Sequence, residues 1–288
     1  MHKTVKYLIP AVDVDMGGIL LKQAIPTQRI DQIDPFLLLH HADFNYTADA
    51  PARHQGIGPH PHRGFSPVTF VIDGEVHHRD SRGNNQIARK GEVQWMHAGA
   101  GIVHSERPSQ ELVDKNGRQE IIQLWINTPA EKKMTPPSYQ YIPKEEIPVF
   151  SSENGEIQNK LIAGNISGLQ GKIKTETDLL IIWCMAKTGS SETYTIDNRY
   201  NTMLYLIKGT LRITGFGKVL EKSLLVFEND AEQIEVSADS DAQFLILSGE
   251  PIGEKTVQRG PFVMNSMTEI MKAMRDYQMG KMGILIEE

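Results

Sequence analysis

The chain has 288 residues, 40% of them hydrophobic, enough for two domains that each bury a core. Its formal charge of -6 and pI near 5.9 argue against nucleic acid or an anionic membrane surface as the main partner. A lone Cys184 cannot close an internal disulfide, no run approaches the ~20 apolar residues of a membrane span, and Met1–Pro10 lacks the apolar centre of a signal peptide, so the sequence reads as soluble and cytoplasmic.

From Val5 to Phe44 the chain reads as short strands and turns. Gly17-Gly18 marks a turn and Gly18–Ala24 a strand. Ile33–Leu39, with Pro35 near its start, is an apolar run read as a strand buried on both faces. His40 and His41 follow. Both are read as core histidines, satisfied by neighbours or standing behind a site, rather than as metal ligands.

The stretch Gly58 to Glu106 carries the chemistry. It holds two pairs of the form X-x-X, His60-Pro61-His62 and His104-Ser105-Glu106. In a strand, residues i and i+2 share a face, so two adjacent antiparallel strands carrying such pairs would surround one ion. Three imidazoles and one carboxylate suit a borderline divalent transition metal such as iron, nickel, copper, manganese or zinc. Calcium and magnesium prefer all-oxygen shells. An octahedral ion so held keeps two positions for substrate, oxygen or water. The plain alternative is surface histidines in hairpins, against which stand the two spaced pairs and the glycines around them.

Between the pairs, Ser66–Ile72 alternates in the β manner and reaches Asp73-Gly74, read as a hairpin turn into Glu75–Asp80. Ser81–Asn85 is a second turn, and His78 and Asp80 are read as polar residues that stabilise the hairpin. Lys90–Met96 is the strand that leads to the second pair. Gly99 and Gly101 supply the sharp backbone path that brings His104 back inward.

This order of glycine, histidine pair, hairpin, glycine and histidine resembles the cupin β-barrel. Gly58–Phe65, Gln94-Trp95-Met96 and Gly101–Glu106 resemble the motifs of the pirin family, and Gly260–Asn265 and Asp276–Gly280 resemble the same family's tail. The resemblance implies a mainly all-β bicupin: two tandem, jelly-roll-like cupin barrels with a C-terminal α-helix. It implies one mononuclear metal, usually iron, in the N-terminal barrel, on residues matching His60, His62, His104 and Glu106. It also implies one of two activities. The first is a flavonol dioxygenase such as quercetin 2,3-dioxygenase, taking a flavonol and O2. The second is a non-enzymatic, metal-dependent regulator that binds a transcription factor or a metabolic enzyme. In the enzyme Glu106 would be catalytic base as well as ligand, and Phe65, Trp95, Met96 and His97 are candidate pocket lining. Ser66 stands where many pirins keep a glutamate, and His97 where relatives commonly have threonine.

After Trp125-Ile126-Asn127, the proline- and charge-rich run from Thr128 to Pro137 reads as an interdomain linker. The expected domains are 1–130, a metal-binding barrel, and 141–288, a second barrel, joined by 131–140. The second half repeats short strands, among them Leu179–Met185, Thr202–Ile207, Leu224–Phe227 and Gln243–Leu247. All ten histidines lie at or before His104, so the second barrel is expected to be structural and metal-free. Ser266-Met267-Thr268-Glu269 has the form of a capping box, and Met267, Ile270, Met271, Met274 and Tyr277 recur at helical spacing. That stripe is read as a face packed against a barrel, and Gly280 as the stop.

Overall fold

Strand-forming sequence dominates the computed structural model, which describes residues 1–287 as two cupin barrels with one long helix near the C-terminus. In the histidine-bearing barrel the strands are β1 (Phe36–Asn45), β2 (Ile57–His62), β3 (Phe65–Asp73), β4 (Glu75–Asp80), β5 (Asn85–Arg89), β6 (Val93–His97), β7 (Ile102–Arg107), β8 (Arg118–Asn127) and β9 (Ser138–Ile142). One sheet carries the order β9-β6-β3-β8-β1, and the facing sheet the order β2-β7-β4-β5. Along β8, Ile122, Leu124 and Ile126 are fully buried while Ile121, Gln123 and Trp125 are half-buried. The period-2 alternation thus turns one face of the sheet to packed core and the other to the barrel interior.

Asp73-Gly74 is not the tip of a hairpin. β3 pairs with β6 and β8, and β4 pairs with β5 and β7, so the turn is a corner at which the chain leaves one sheet for the other. Gly74 has a φ of 72°, and a Cβ there would land on the carbonyl oxygen of Arg118, so the corner requires glycine. The true hairpin is the next one, β4 to β5 through Ser81–Asn84.

The division of the chain differs from 1–130, 131–140 and 141–288. The histidine-bearing unit comprises Asp15–Leu21, Phe36–Lys144 and the chain from Gly253 on, and the other comprises Met1–Val14, Lys22–Pro35 and Glu145–Ile252. Two long-range pairings cause this. Val5–Pro10 runs antiparallel to Ser223–Phe227 at the edge of the second barrel's main sheet. At the other end Phe262, Met264, Ile270, Ala273 and Met282 form one apolar cluster with Val103 of β7, so the tail belongs to the first barrel. The expected linker is also structured: Ser138–Ile142 pairs with β6, and Lys133 is 1% exposed, donating to the carbonyls of Gly64 (2.6 Å), Val263 (3.0 Å) and Asn127 Oδ1 (2.7 Å). Proline and charge there mark a turn with an anchored lysine rather than a free connector.

The second barrel stacks the sheet Val5–Pro10, Ser223–Phe227, Asn201–Lys208, Ala242–Gly249, Leu179–Ala186, Ile157–Ala163 and Val149–Ser151 on a smaller one made of Ser191–Thr195, Gln233–Ala238, Thr210–Ile213 and Gly217–Leu220. Leu204, Leu206, Phe244, Ile246, Tyr194 and Val236 lie in its shared core.

The C-terminal helix, Met267–Gln278, starts where its capping box predicts: Ser266 Oγ accepts from Glu269 N at 3.3 Å. Its buried face is not the methionine stripe. Ile270 and Ala273 are buried, whereas Met267, Met271, Met274 and Tyr277 are 37 to 60% exposed. The third buried position is Asp276, which accepts from Lys272 Nζ (2.8 Å), Arg63 Nη1 (3.0 Å) and Lys281 Nζ (3.1 Å). These cations hold its carboxyl far below the usual range, Lys272 foremost, and outweigh the effect of burial. Burial by an ion pair, invisible to hydrophobic periodicity, has rotated the helix.

Arg63 is 3% exposed, so Asp276→Ala takes the carboxylate from a buried guanidinium whose Nε still donates to the Ala100 carbonyl at 2.7 Å. Breaking such a pair costs about 3–5 kcal/mol. The expected result in urea unfolding is an unfolding free energy lowered by about that amount, seen as a lower midpoint with the slope unchanged.

Candidate metal centre

β2 and β7 are antiparallel neighbours with His104 opposite His60 and Ile102 opposite His62. Side chains two apart on each strand therefore meet, and His60, His62 and His104 each bring a ring nitrogen to within 4.8 Å of the others'. Gly64, just beyond the first pair, has a φ of 86°, and a Cβ there would strike the carbonyl oxygen of Val263. Glycine here lets the C-terminal segment close over the pair, and through it Pro261 reaches His62.

The hydrogen bonds fix which nitrogens face inward. His60 Nδ1 lies 2.8 Å from the Gly58 carbonyl and His62 Nδ1 lies 3.3 Å from that of Pro261, so each ring donates at Nδ1 and bears its lone pair on Nε2. Those two Nε2 atoms are 3.1 Å apart. His104 Nε2 is buried with no hydrogen-bond partner. Converging lone pairs and an orphaned buried nitrogen are costly unless a cation sits between them, so these residues fit a divalent transition metal. Burial drives the pKa of His62 and His104 well below 6.5, reinforced by the neighbouring imidazoles, so both keep the neutral form that coordination requires.

Glu106 does not join the three imidazoles in that close group. A register irregularity falls between His104 and Glu106, which lies opposite Ile57, and the carboxylate is held by Thr69 Oγ1 at 3.1 Å and Gln94 Nε2 at 3.5 Å. It does face the same cavity as His60 and His62. That cavity is about 370 Å³ and apolar over most of its wall, with Leu38, Phe44, Tyr46 and Trp125 beside the polar His40 and Gln123.

The wall differs from the expected lining. Phe65 stands behind it, its ring 5.0 Å from His62 and 4.4 Å from Trp125. Met96 borders only a small void beside His104 and Glu106. Trp95 and His97 are buried on the other face of β6, where His97 meets Ser66 Oγ at 3.3 Å and Thr135 Oγ1 at 3.0 Å. Proximity in sequence to the ligands suggested these residues. The real wall comes from alternate positions of β1 and β8, whose half-buried face was legible only once the barrel was closed.

The remaining histidines separate cleanly. His41 pairs with Glu120 at 2.9 Å, a satisfied core histidine. His40 lines the cavity. The sequence places His78 in a hairpin, yet its Nδ1 lies 3.4 Å from His104 Nδ1, and its Nε2 is 3.0 Å from Asp80 Oδ2. Asp80 does hold the turn, accepting from Arg82 N, Asn84 N and Asn84 Nδ2 at 2.8, 3.1 and 2.7 Å. The i, i+2 spacing of His78 and Asp80 carried the signal that both face inward.

Burial alone lowers His40 to about 4 from the usual 6.5. Between those values the unfolded chain binds a proton that the folded chain does not, so stability falls as the pH drops through that window. The full loss is about 3 kcal/mol at 1.36 kcal/mol per pH unit. Denaturation measured from pH 7 to 4 should show a shallower acid limb in His40→Gln by about that amount. An identical limb would place the acid sensitivity elsewhere.

A family model described as Pirin matches residues 18–126, and one described as Pirin C-terminal cupin domain matches residues 183–283. Pirin-1 of Arabidopsis thaliana is 35% identical over 286 residues, covering 97% of this chain and 94% of its own length. The crystal structure of a quercetin 2,3-dioxygenase from Acinetobacter baumannii superposes with a TM-score of 0.92 at 32% identity, covering 99% of this chain and 100% of that one. A bacterial pirin of Escherichia coli, solved in complex with nickel(II), shares the fold with a TM-score of 0.69 at 22% identity, over 85% of this chain and 99% of its own.

Proposed function

The chain belongs to the pirin family, and we propose that it is a metal-dependent dioxygenase cleaving flavonols such as quercetin with O2. One observation carries this reading: of three clustered imidazoles, His60 and His62 face, together with the Glu106 carboxylate, an apolar cavity of about 370 Å³, a size and polarity suited to one flat polyphenol. The likeness to a quercetin 2,3-dioxygenase over the whole chain supports it. His60, His62 and His104 would hold the ion, with Glu106 as fourth ligand. Iron is the first choice from the family resemblance, and the nickel(II) held by a relative makes nickel the second.

A divalent ion, when bound, supplies Lewis acidity that makes an enolic hydroxyl easier to ionise. The protein supplies the rest. Trp125, Phe44 and Tyr46 offer aromatic surface to the rings, while His40 and Gln123 place polar atoms where ring hydroxyls would lie. Thr69 and Gln94 both donate to Glu106 Oε1, leaving Oε2 to take the proton of the flavonol 3-hydroxyl. The resulting electron-rich ring reacts with O2. Ring opening then releases carbon monoxide, one molecule for each O2 consumed.

A second reading is a metal-dependent regulator binding a transcription factor or metabolic enzyme, and the exposed Met267, Met271 and Met274 favour it, since methionine surfaces adapt to partners. Anaerobic purification with metal analysis, followed by O2-uptake and carbon monoxide assays on a flavonol panel, separates the two. Equal O2 loss and carbon monoxide release, with no turnover of a flavone lacking the 3-hydroxyl, is the expected result. No turnover with any of iron, nickel, manganese, copper or zinc would overturn the enzyme reading.

A further inference from the structure

The three imidazoles are oriented in two different ways. His60 and His62 each donate to a backbone carbonyl, whereas His104 leans on a side chain. We propose that His78 and Asp80 form a positioning chain acting through His104, fixing the tautomer and direction of that ring and so setting the affinity and electronic character of the metal it holds. The proposal rests on the metal-centre reading above, and not on flavonol turnover.

A single tautomer assignment satisfies every contact. Coordination needs the lone pair of His104 on Nε2, the buried nitrogen without a partner, so its hydrogen is on Nδ1. His104 Nδ1 faces His78 Nδ1 at 3.4 Å, so His78 accepts there and carries its own hydrogen on Nε2. That nitrogen is 3.0 Å from Asp80 Oδ2, a carboxylate able to accept it. The alternative tautomers leave two hydrogens, or two lone pairs, facing each other in at least one buried contact.

The chain is rigid from end to end. β7 and β4 are paired with His104 opposite Asp80 and Glu106 opposite His78, so all three members sit on neighbouring strands. Asp80 is 3% exposed and is clamped by three donors from the Arg82 to Asn84 turn. His78 is 1% exposed and stacks on Tyr139, with ring centroids 4.2 Å apart and planes within 16°. A carboxylate behind an imidazole raises the basicity of the ligand in front, and outer partners of this kind typically change metal affinity about 10- to 100-fold.

The test uses the full-length protein stripped of metal and titrated with cobalt(II), read by its visible absorption spectrum and by competition with a chelator. His78→Phe keeps a ring to stack on Tyr139 and removes the hydrogen bonds. Asp80→Asn keeps His78 and removes the charge behind it. His78→Gln restores an acceptor toward His104 and a donor toward Asp80. The expected result is a cobalt affinity roughly 10- to 100-fold lower and a shifted spectrum in His78→Phe. A smaller change in the same direction is expected for Asp80→Asn, with partial rescue in His78→Gln. Wild-type affinity and spectrum in both His78→Phe and Asp80→Asn would overturn the chain while leaving the metal centre standing. If the wild-type protein itself took up no cobalt, the metal centre would fall and the chain with it.

Discussion

His104→Ala is expected to purify without stoichiometric metal. The variant loses the one inward nitrogen that has no other partner, and the His60 and His62 that remain present two lone pairs 3.1 Å apart on a single strand. Loss of a direct ligand should cost more than the ~10- to 100-fold typical of an outer partner. The fold should survive. Most of the barrel's apolar burial lies in strand faces remote from this ring, and His60→Ala, at a half-buried position, removes a ligand with still less packing. Metal analysis after dialysis, alongside thermal unfolding of both variants, makes the measurement. Unchanged stoichiometry in the two of them would remove the site from β2 and β7.

Glu106→Gln is expected to separate holding the metal from using it. The amide oxygen can still accept from Thr69 and Gln94 and can still coordinate, so metal content should change little. It cannot take a proton. General-base catalysis typically contributes ~10²- to 10⁴-fold, and flavonol turnover should fall by that factor. The substitution also raises the net charge of the site by one, which moves the redox potential of any bound ion, so rates are to be compared in one verified metal state. Near wild-type turnover would assign the proton to another acceptor. An amide that keeps the place of the Glu106 carboxylate in a metal-loaded crystal of the variant, with turnover lost, would leave the base role as the remaining explanation.

The contrast between what the sequence disclosed and what it hid follows the range of the interactions involved. His60, His62 and His104 were readable because period-2 geometry is local: the spacing within each pair fixes a shared face before any fold is known. The capping box at Ser266 was readable for the same reason. Gly74 was marked correctly as a turn but not as a corner, because whether flanking strands pair with each other is decided by β6, β7 and β8, which lie elsewhere in the chain. The methionine stripe misled through the same gap. Helical spacing reports that a face exists, while the face that is buried was chosen by Asp276 finding Arg63, 213 residues earlier. His78 was legible as a residue on an inward face and illegible as a support, since its meaning depends on the neighbour that β7 places beside it.

The pairing of Val5–Pro10 with Ser223–Phe227 has a consequence in time. Val5–Pro10 leaves the ribosome long before Ser223–Phe227 and cannot find its partner until that partner has been made. At about 5–20 residues per second the delay is on the order of tens of seconds. For that interval the segment is an extended, partly apolar strand with an open hydrogen-bonding edge, the form that invites pairing with another chain. Lys3 and Lys6 flank and punctuate it, charges that discourage a wrong neighbour while it waits. The order in which these strands are made is therefore not the order in which they pair: the second barrel's main sheet gains its edge from a strand made long before its neighbour.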